Sequence, residues 1–132
     1  MVIDLNIQRE KEIKTTLSKC EDVSNVDEYF DQLSILREKL KTEKFTGDLT
    51  EFFSALANKK RVMILSILKK KDRCVCEIEA VLDESQPAIS HHLRILEKAG
   101  LIKGWKKGKF THYDVVEDKL KLYINLLINK LI

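Results

Sequence analysis

The sequence has few of the residues that interrupt regular structure: one proline and four glycines in 132 residues. All-β folds need many tight turns, which are rich in proline and glycine, so this scarcity favours a fold of long helices. No apolar run approaches the ~20 residues that a transmembrane helix needs. The first residues, MVIDLNIQREKE, lack the apolar core of a signal peptide. We therefore expect a helical cytoplasmic protein of one domain, with or without an appended arm, and no membrane partner.

Motifs of the common enzyme classes are also missing from the sequence. It contains no glycine-rich phosphate loop, no HExxH motif of a metalloprotease and no nucleophile elbow. It also lacks the CxxC pairs that hold zinc in zinc fingers. We therefore predict that the protein is not an enzyme and that it has neither catalytic residues nor a catalytic cofactor.

The net charge of +3 is unevenly distributed along the chain. Residues 1–48 have a net charge of −3, whereas residues 49–132 have a net charge of +6. Between Ser85 and Tyr113 there are six basic residues and one acidic residue. A basic cluster of this kind suits a polyanionic partner such as a nucleic acid, although a charge cluster can equally be a solvated surface.

The apolar periodicity of the first half of the chain indicates two helices. Residues 6–19 carry a loose apolar set, and the polar segment CEDVSN at 20–25 interrupts it. From Val26 onward, apolar residues recur at three- and four-residue steps, which predicts an amphipathic helix of about 18 residues. The segment TGD at 46–48 contains a helix breaker, so we expect the helix to end there.

Five further helices and a hairpin are predicted after this break. LTEFFSAL (49–56), RVMILSILKKK (61–71) and CVCEIEAVL (74–82) are the first three helices. The hairpin has the strands LIKGW (101–105) and FTHYDVV (110–116) and a basic tip. The last helix, EDKLKLYINLLINKLI (117–132), has more apolar residues than one domain can bury, which predicts a dimer contact.

The helix before the hairpin has the clearest local signals in the sequence. Ser85 is a good N-cap, and Pro87 falls in the first turn, where its missing N–H costs nothing. Gly100 is placed to end the helix. An apolar stripe at i, i+4 and i+7 predicts the buried face, which is formed by Ile89, Leu93 and Leu96.

These motifs together resemble a known family. The segment SQPAISHHLRILEKAGLIKGWKKGKFTHYDV closely resembles the recognition helix and wing of the ArsR/SmtB (arsenic-repressor) family of metalloregulatory repressors. ALANKKRVMILSIL is similar to the preceding helices of that family, and CVCEI is similar to the start of its metal-binding helix. The resemblance covers residues 49–116 and implies a mainly α fold with a small β-hairpin wing, the winged helix-turn-helix.

The resemblance also implies how the chain is divided and what it binds. Residues 1–48 would form an N-terminal helical arm and dimerisation extension, residues 49–116 the DNA-binding domain, and residues 117–132 a C-terminal dimerisation helix. The expected partners are a double-stranded DNA operator and a second copy of the chain, joined as a homodimer through the N- and C-terminal helices.

Seven residues are predicted to contact DNA. In related repressors the positions of Gln86, Ser90 and His91 face the major groove, and Arg94 lies one turn further along the helix. Glutamine can form two hydrogen bonds to an adenine edge, whereas serine and histidine are more permissive. The wing residues Lys106, Lys107 and Lys109 suit phosphates. We expect His92 to pack beside the apolar stripe, and we assign no role to His112.

Cys74 and Cys76 are predicted to bind a metal. Residues i and i+2 of a regular helix point about 200° apart, so two such thiols can converge only where a helix begins. The same position, aided by Arg73 and Lys71, is expected to lower the thiol pKa, and thiolates bind soft metals. The simpler alternative is that both cysteines are small buried apolar residues.

Two sulfurs are too few for a tight soft-metal site. In family members with this motif, a third ligand comes from a cysteine three residues on or from an N-terminal arm, but here position 79 is Glu79. Cys20 is the remaining thiol, although Glu21 or Asp22 could supply an oxygen instead. The expected effectors are As(III), Sb(III), Cd(II), Pb(II) or Zn(II). The family's site on the final helix is expected to be absent, because no histidine follows His112.

The predicted function is a repressor that a soft metal or metalloid releases from DNA. A thiol redox or sulfur-responsive repressor would use the same cysteines, since a disulfide between such close residues is strained and easily reduced. An effector-independent DNA-binding or protein-interaction module is the third alternative.

Overall fold

The computed structural model describes the backbone of residues 2–132 and the side chains of residues 6–132. The chain divides into two compact units, of which the first ends at Glu43 and the second spans Lys44–Ile132. The predicted arm begins at Met1, which lies outside the described residues. None of the helices in residues 2–132 is both long enough and apolar enough to cross a bilayer.

The first unit contains two helices, α1 (Val2–Leu17) and α2 (Val26–Thr42). The polar segment at 20–25 separates them, as the sequence predicted. The Asn25 side chain caps α2 by accepting a hydrogen bond of 3.1 Å from the Glu28 N–H. Lys14 of α1 pairs with Asp27 of α2 at 2.8 Å, so an ion pair joins the two helices.

The predicted helix break at 46–48 is wrong. The chain leaves helical geometry earlier, at Glu43, and α3 then runs without interruption through Lys44–Leu56. A glycine inside a helix costs only about 1 kcal/mol relative to alanine. Here α3 buries an apolar stripe of Leu49, Phe52 and Ala55, and burial of one large apolar side chain contributes about 1.5–3 kcal/mol, which outweighs that cost.

The second unit is a winged helix-turn-helix, which confirms the predicted mainly α fold with a small β-hairpin wing. After α3 its elements are α4 (Lys59–Lys70), β1 (Arg73–Cys74), α5 (Val75–Leu82), α6 (Gln86–Lys98), β2 (Ile102–Lys107), β3 (Phe110–Val115) and α7 (Glu117–Leu131). The buried core draws on helices α3 to α6 and on the start of the hairpin. Its members are Phe52, Ala55, Ile64, Leu68, Ile78, Ile89, Leu93, Leu96, Leu101 and Ile102.

Helix α6 forms as its local signals predicted. The Ser85 hydroxyl accepts a hydrogen bond of 3.3 Å from the Ala88 N–H, and Pro87 lies in the first turn. Gly100 adopts the left-handed backbone (φ +77°) that ends the helix. All three residues of the predicted stripe, Ile89, Leu93 and Leu96, are buried. The opposite face of α6, which carries Gln86, His91 and Arg94, is therefore exposed.

The hairpin belongs to a three-stranded antiparallel sheet with the order β1-β3-β2. The sequence predicted the two long strands and placed Cys74 at the start of a helix, but it did not predict the short strand β1. In the structure Arg73 pairs with Tyr113, and Cys74 pairs with His112. This short pairing ties the start of α5 to the second wing strand.

Candidate DNA interface and thiol site

The predicted groove-facing residues lie on α6 away from its buried stripe. Gln86, His91 and Arg94 are exposed, and Ser90 is half-buried. Gln86 is the first residue of the helix, in the turn that carries the Ser85 cap. The arrangement leaves short polar groups and one guanidinium free to contact base edges.

His92 is held within the protein by Arg61. The Arg61 guanidinium lies 3.3 Å from His92 Nδ1 and also donates a 2.6 Å hydrogen bond from Nε to the Ala55 carbonyl. Burial lowers the pKa of His92, and the positive charge of Arg61 adds to this effect. His92 is therefore a packing residue beside the stripe, as the sequence suggested.

The three wing lysines are exposed around the hairpin turn at Gly108, whose φ is +64°. Lys107 also has partners within the protein: its Nζ lies 3.7 Å from Asp72 Oδ2 and 5.9 Å from the centre of the Trp105 ring. The Lys107 side chain is 55% exposed, so this ion pair is weak.

Cys74 and Cys76 converge at the start of α5. Cys74 is the N-cap, with extended backbone (φ −86°, ψ 169°), and its Sγ lies 3.0 Å from that of Cys76. Cys74 is buried, Cys76 is exposed, and all three cysteines of the chain are free thiols. A non-helical first residue therefore brings the two sulfurs together, which is the geometry that the sequence argument required.

The expected lowering of the thiol pKa is wrong for Cys74. Its pKa is raised, because its thiol shares a hydrogen bond with Cys76 and because it is buried. Arg73 does not face the sulfur; it pairs with Glu77 at 2.9 Å. This guanidinium, together with the Cys74 N–H, lowers the pKa of Glu77 to about 2. A metal that binds Cys74 must therefore displace the thiol proton.

Two residues that lie beside Cys74 in the structure were not among the predicted ligands. The ligand atoms of Cys74, Glu77 and His112 lie within 4.8 Å of one another. Asp72 Oδ2 lies 2.7 Å from His112 Nδ1 and so fixes the imidazole. His112 lies in the second strand of the hairpin that the sequence predicted. The β1–β3 register that brings it to Cys74 has no local signal in the sequence.

A cavity of about 380 Å³ connects the thiols with the surface predicted to contact DNA. Its lining includes both cysteines of α5, Gln86 of α6, and Lys106 and Lys109 of the wing. A change at the thiols is therefore adjacent to the first residue of α6 and to the wing tip.

Cys20 belongs to the first unit of the chain. It lies in the turn after α1 and is exposed, as are Glu21 and Asp22. Its role as a metal ligand stays a prediction.

Comparison with known proteins decides the family. Residues 58–103 match the model of the bacterial regulatory protein, arsR family. An HTH-type transcriptional regulator of Methanocaldococcus jannaschii is 44% identical over 78 residues, which are 58% of this chain and 88% of that protein. The cadmium resistance regulatory protein CadC of Listeria innocua is 34% identical over 95 residues, covering 70% and 80% of the two chains. The chain belongs to the ArsR/SmtB family.

Further comparisons agree with this assignment. The transcriptional repressor SmtB homolog of Synechocystis is 28% identical over 80% of this chain and 86% of its own length. The homodimeric winged helix-turn-helix DNA-binding domain of a Mycobacterium bovis protein superposes with a TM-score of 0.55 at 25% identity, covering 63% and 78% of the two chains. This ArsR/SmtB protein is a DNA-binding transcriptional repressor and not an enzyme, as the sequence predicted.

Proposed function

We propose that this ArsR/SmtB repressor binds its operator in the metal-free state and releases it when a soft metal or metalloid binds Cys74 and Cys76. The observation that carries the proposal is the 3.0 Å separation of the two sulfurs at the N-cap of α5. Thiolate pairs of this kind bind As(III), Sb(III), Cd(II), Pb(II) and Zn(II). The CadC relative is named for cadmium resistance, which supports this class of effector. Cys20 of the arm remains a candidate third sulfur.

The link from the thiols to DNA is short. Helix α5 ends at Leu82, Asp83 turns the chain in a left-handed conformation (φ 52°), and Ser85 caps α6. An ion that rearranges the N-cap of α5 would tilt this short helix and shift α6, against which it packs. A coupling free energy of ~1–3 kcal/mol would weaken DNA binding by about 5- to 150-fold.

The DNA contacts follow from the exposed side of α6 and from the wing. Gln86, Ser90, His91 and Arg94 would contact the major groove, and Lys106, Lys107 and Lys109 would contact phosphates. A DNA-binding regulator acts in the compartment that holds the DNA, which supports a cytoplasmic location.

The protein would act as a homodimer, with residues 49–116 on DNA and residues 1–48 and 117–132 in dimerisation. On α7 the apolar side chains of Leu122, Ile124, Ile128 and Leu131 are 42–64% exposed. On α2, Ile35 is 71% exposed. A second copy would bury such faces, as an isologous contact does. The homodimeric M. bovis domain supports this arrangement.

The proposal predicts that Cys74→Ser and Cys76→Ser each abolish the metal response while leaving apo DNA affinity unchanged. The operator would be selected from random duplexes by the reduced protein, and fluorescence anisotropy would be measured with and without Cd(II), Pb(II), Zn(II) and As(III). Wild-type protein should lose about 5- to 150-fold in affinity with at least one of these ions. Cys20→Ser removes the remaining thiol and tests whether the arm supplies a third sulfur. Unchanged wild-type affinity with every ion would refute the proposal.

The proximity of the two sulfurs also favours a second candidate, a thiol redox switch. The same titration with peroxide or persulfide and no metal separates the two mechanisms. Release by an oxidant that is reversed by dithiothreitol, with no release by any metal, would favour the redox switch.

The wing lysines should control the salt dependence of binding rather than sequence choice. Each lysine-to-glutamine substitution at Lys106 or Lys109 should lower the slope of log K against log salt by ~0.9 per phosphate contact, thus by about 1.8 for two subunits. Salt titrations of operator and random duplexes measure the slope. Lys121→Gln, on α7 and outside the wing, is the control. A loss confined to the operator would contradict phosphate contact.

A further inference from the structure

We infer that the wing itself supplies a metal ligand, His112, so that one winged-helix domain holds a divalent ion of the Zn(II) or Cd(II) class without any residue of the arm. Cys74 and Glu77 complete the group, and Cys76, whose Sγ lies 3.0 Å from that of Cys74, would join as a fourth ligand. This inference rests on the proposed function, since it names the ligands and the ion class of the same thiol site.

Strand pairing brings Cys74 and His112 together. Cys74 of β1 stands directly opposite His112 of β3. Side chains of directly opposed residues in an antiparallel pair lie on the same face, with Cβ atoms about 4.5–5.5 Å apart. One turn into α5, Glu77 completes a set whose ligand atoms lie within 4.8 Å of one another. Three different elements therefore converge on one point.

A carboxylate holds the His112 ring in one orientation. Asp72 Oδ2 lies 2.7 Å from His112 Nδ1, which leaves Nε2 as the ring nitrogen available to an ion. Metal-binding histidines almost always give their other ring N–H to a carboxylate or a carbonyl, which fixes the ring and raises its basicity. Only 13% of the His112 side chain is exposed, so the ring is already desolvated and oriented.

The donor atoms determine the class of ion. Two sulfurs, one imidazole nitrogen and one carboxylate oxygen match the tetrahedral sites of Zn(II), and Cd(II) accepts the same set. Glu77 now pairs with Arg73 at 2.9 Å and accepts a hydrogen bond from the Cys74 N–H at 3.2 Å. An ion would exchange these contacts of Glu77 for a metal bond and would so alter the cap of α5.

Because His112 lies on β3, an ion bound at this site would contact the wing directly. Asp72, which orients His112, also pairs with Lys107 at 3.7 Å. An ion at this site would fasten β3 to the start of α5 and thus fix the wing relative to α6. Release of DNA would then involve both DNA-contacting elements rather than the recognition helix alone.

The test is metal binding by the full-length reduced protein and its variants. Zn(II) affinity would be measured by competition with a chromophoric chelator, and Co(II) would report the ligands through its ligand-field and thiolate charge-transfer bands. His112→Asn should weaken Zn(II) binding by at least the ~10–100-fold typical of losing an outer-shell partner, and should shift the ligand-field bands. Asp72→Asn should have a smaller effect of the same sign. Cys20→Ser should change neither measurement.

Two further variants, His112→Cys and Cys74→Ser, distinguish a failure of the inference about His112 from a failure of the proposed function. His112→Cys should keep Co(II) binding and add thiolate charge-transfer intensity, which a purely structural histidine would not produce. If Cys74→Ser abolishes metal binding while His112→Asn changes neither the affinity nor the Co(II) spectrum, this inference is overturned and the proposed function stands. If Cys74→Ser also leaves metal binding unchanged, the proposed function falls with it. Apo operator binding by each variant shows that it has folded.

Discussion

Replacing Phe52 with alanine is expected to lower the free energy of unfolding by about 3–5 kcal/mol. Phe52 is 1% exposed, and its ring packs against two other aromatic rings. The ring centres of Phe52 and Tyr123 of α7 are 4.6 Å apart, and Phe53 lies edge-on at 5.0 Å. Loss of the ring would leave a cavity between α3 and α7 that these large neighbours cannot fill without moving their helices.

Urea unfolding followed by circular dichroism would measure the change. Protein concentration must be held constant, because dimerisation contributes to apparent stability. Phe110→Ala removes the same ring from the wing tip, where it is 55% exposed. This control should change stability by no more than about 0.5 kcal/mol. Equal losses for the two variants would show that Phe52 does not anchor the core.

Local signals in the sequence predicted the DNA-binding part of the fold. The cap Ser85, the first-turn Pro87, the apolar stripe and the terminal Gly100 all act within a few residues of α6. Because each acts locally, each can be recognised without knowledge of the fold. The hairpin was predicted for the same reason, since its two strands are joined by a short turn.

The sequence was misleading where a local preference competed with packing. Gly47 suggested a helix end, yet it lies inside α3, and a β-carbon there would meet no atom within 4 Å. The glycine therefore serves no close contact, and its modest local cost is outweighed by the stripe that α3 buries. Packing energy of this kind depends on residues far along the chain, which a local pattern does not contain.

At the thiol site, too, local features could be predicted from the sequence and non-local features could not. Convergence of Cys74 and Cys76 was predicted, because it depends only on where α5 begins. The pKa of Cys74 was not, because Arg73 turns to Glu77 instead of the sulfur. The position of His112 depends on the pairing of two segments forty residues apart, as in its contact with Asp72. Non-local register is set by the whole fold, so no motif could have revealed it.

Replacing Gln86 with alanine is expected to cause the largest loss of operator affinity. Gln86 is exposed at the first residue of α6, where a glutamine can form two hydrogen bonds to an adenine edge. Such a pair contributes about 1–3 kcal/mol of discrimination, and the proposed homodimer uses it twice. The expected loss is therefore about 2–6 kcal/mol, or roughly 30-fold to more than 10⁴-fold in Kd.

The decisive comparison for Gln86→Ala is between operator and random duplex at one salt concentration. Binding to random DNA depends on phosphate contacts, so it should be unchanged, and the salt slope should be unchanged with it. Gln32→Ala makes the same chemical change at an exposed position of α2 and should leave both affinities intact. Thermal unfolding of both variants should match the wild type, since each side chain is exposed. If Gln86→Ala instead weakened operator and random DNA equally, Gln86 would be supporting the interface generally, and base recognition would have to come from Ser90, His91 or Arg94.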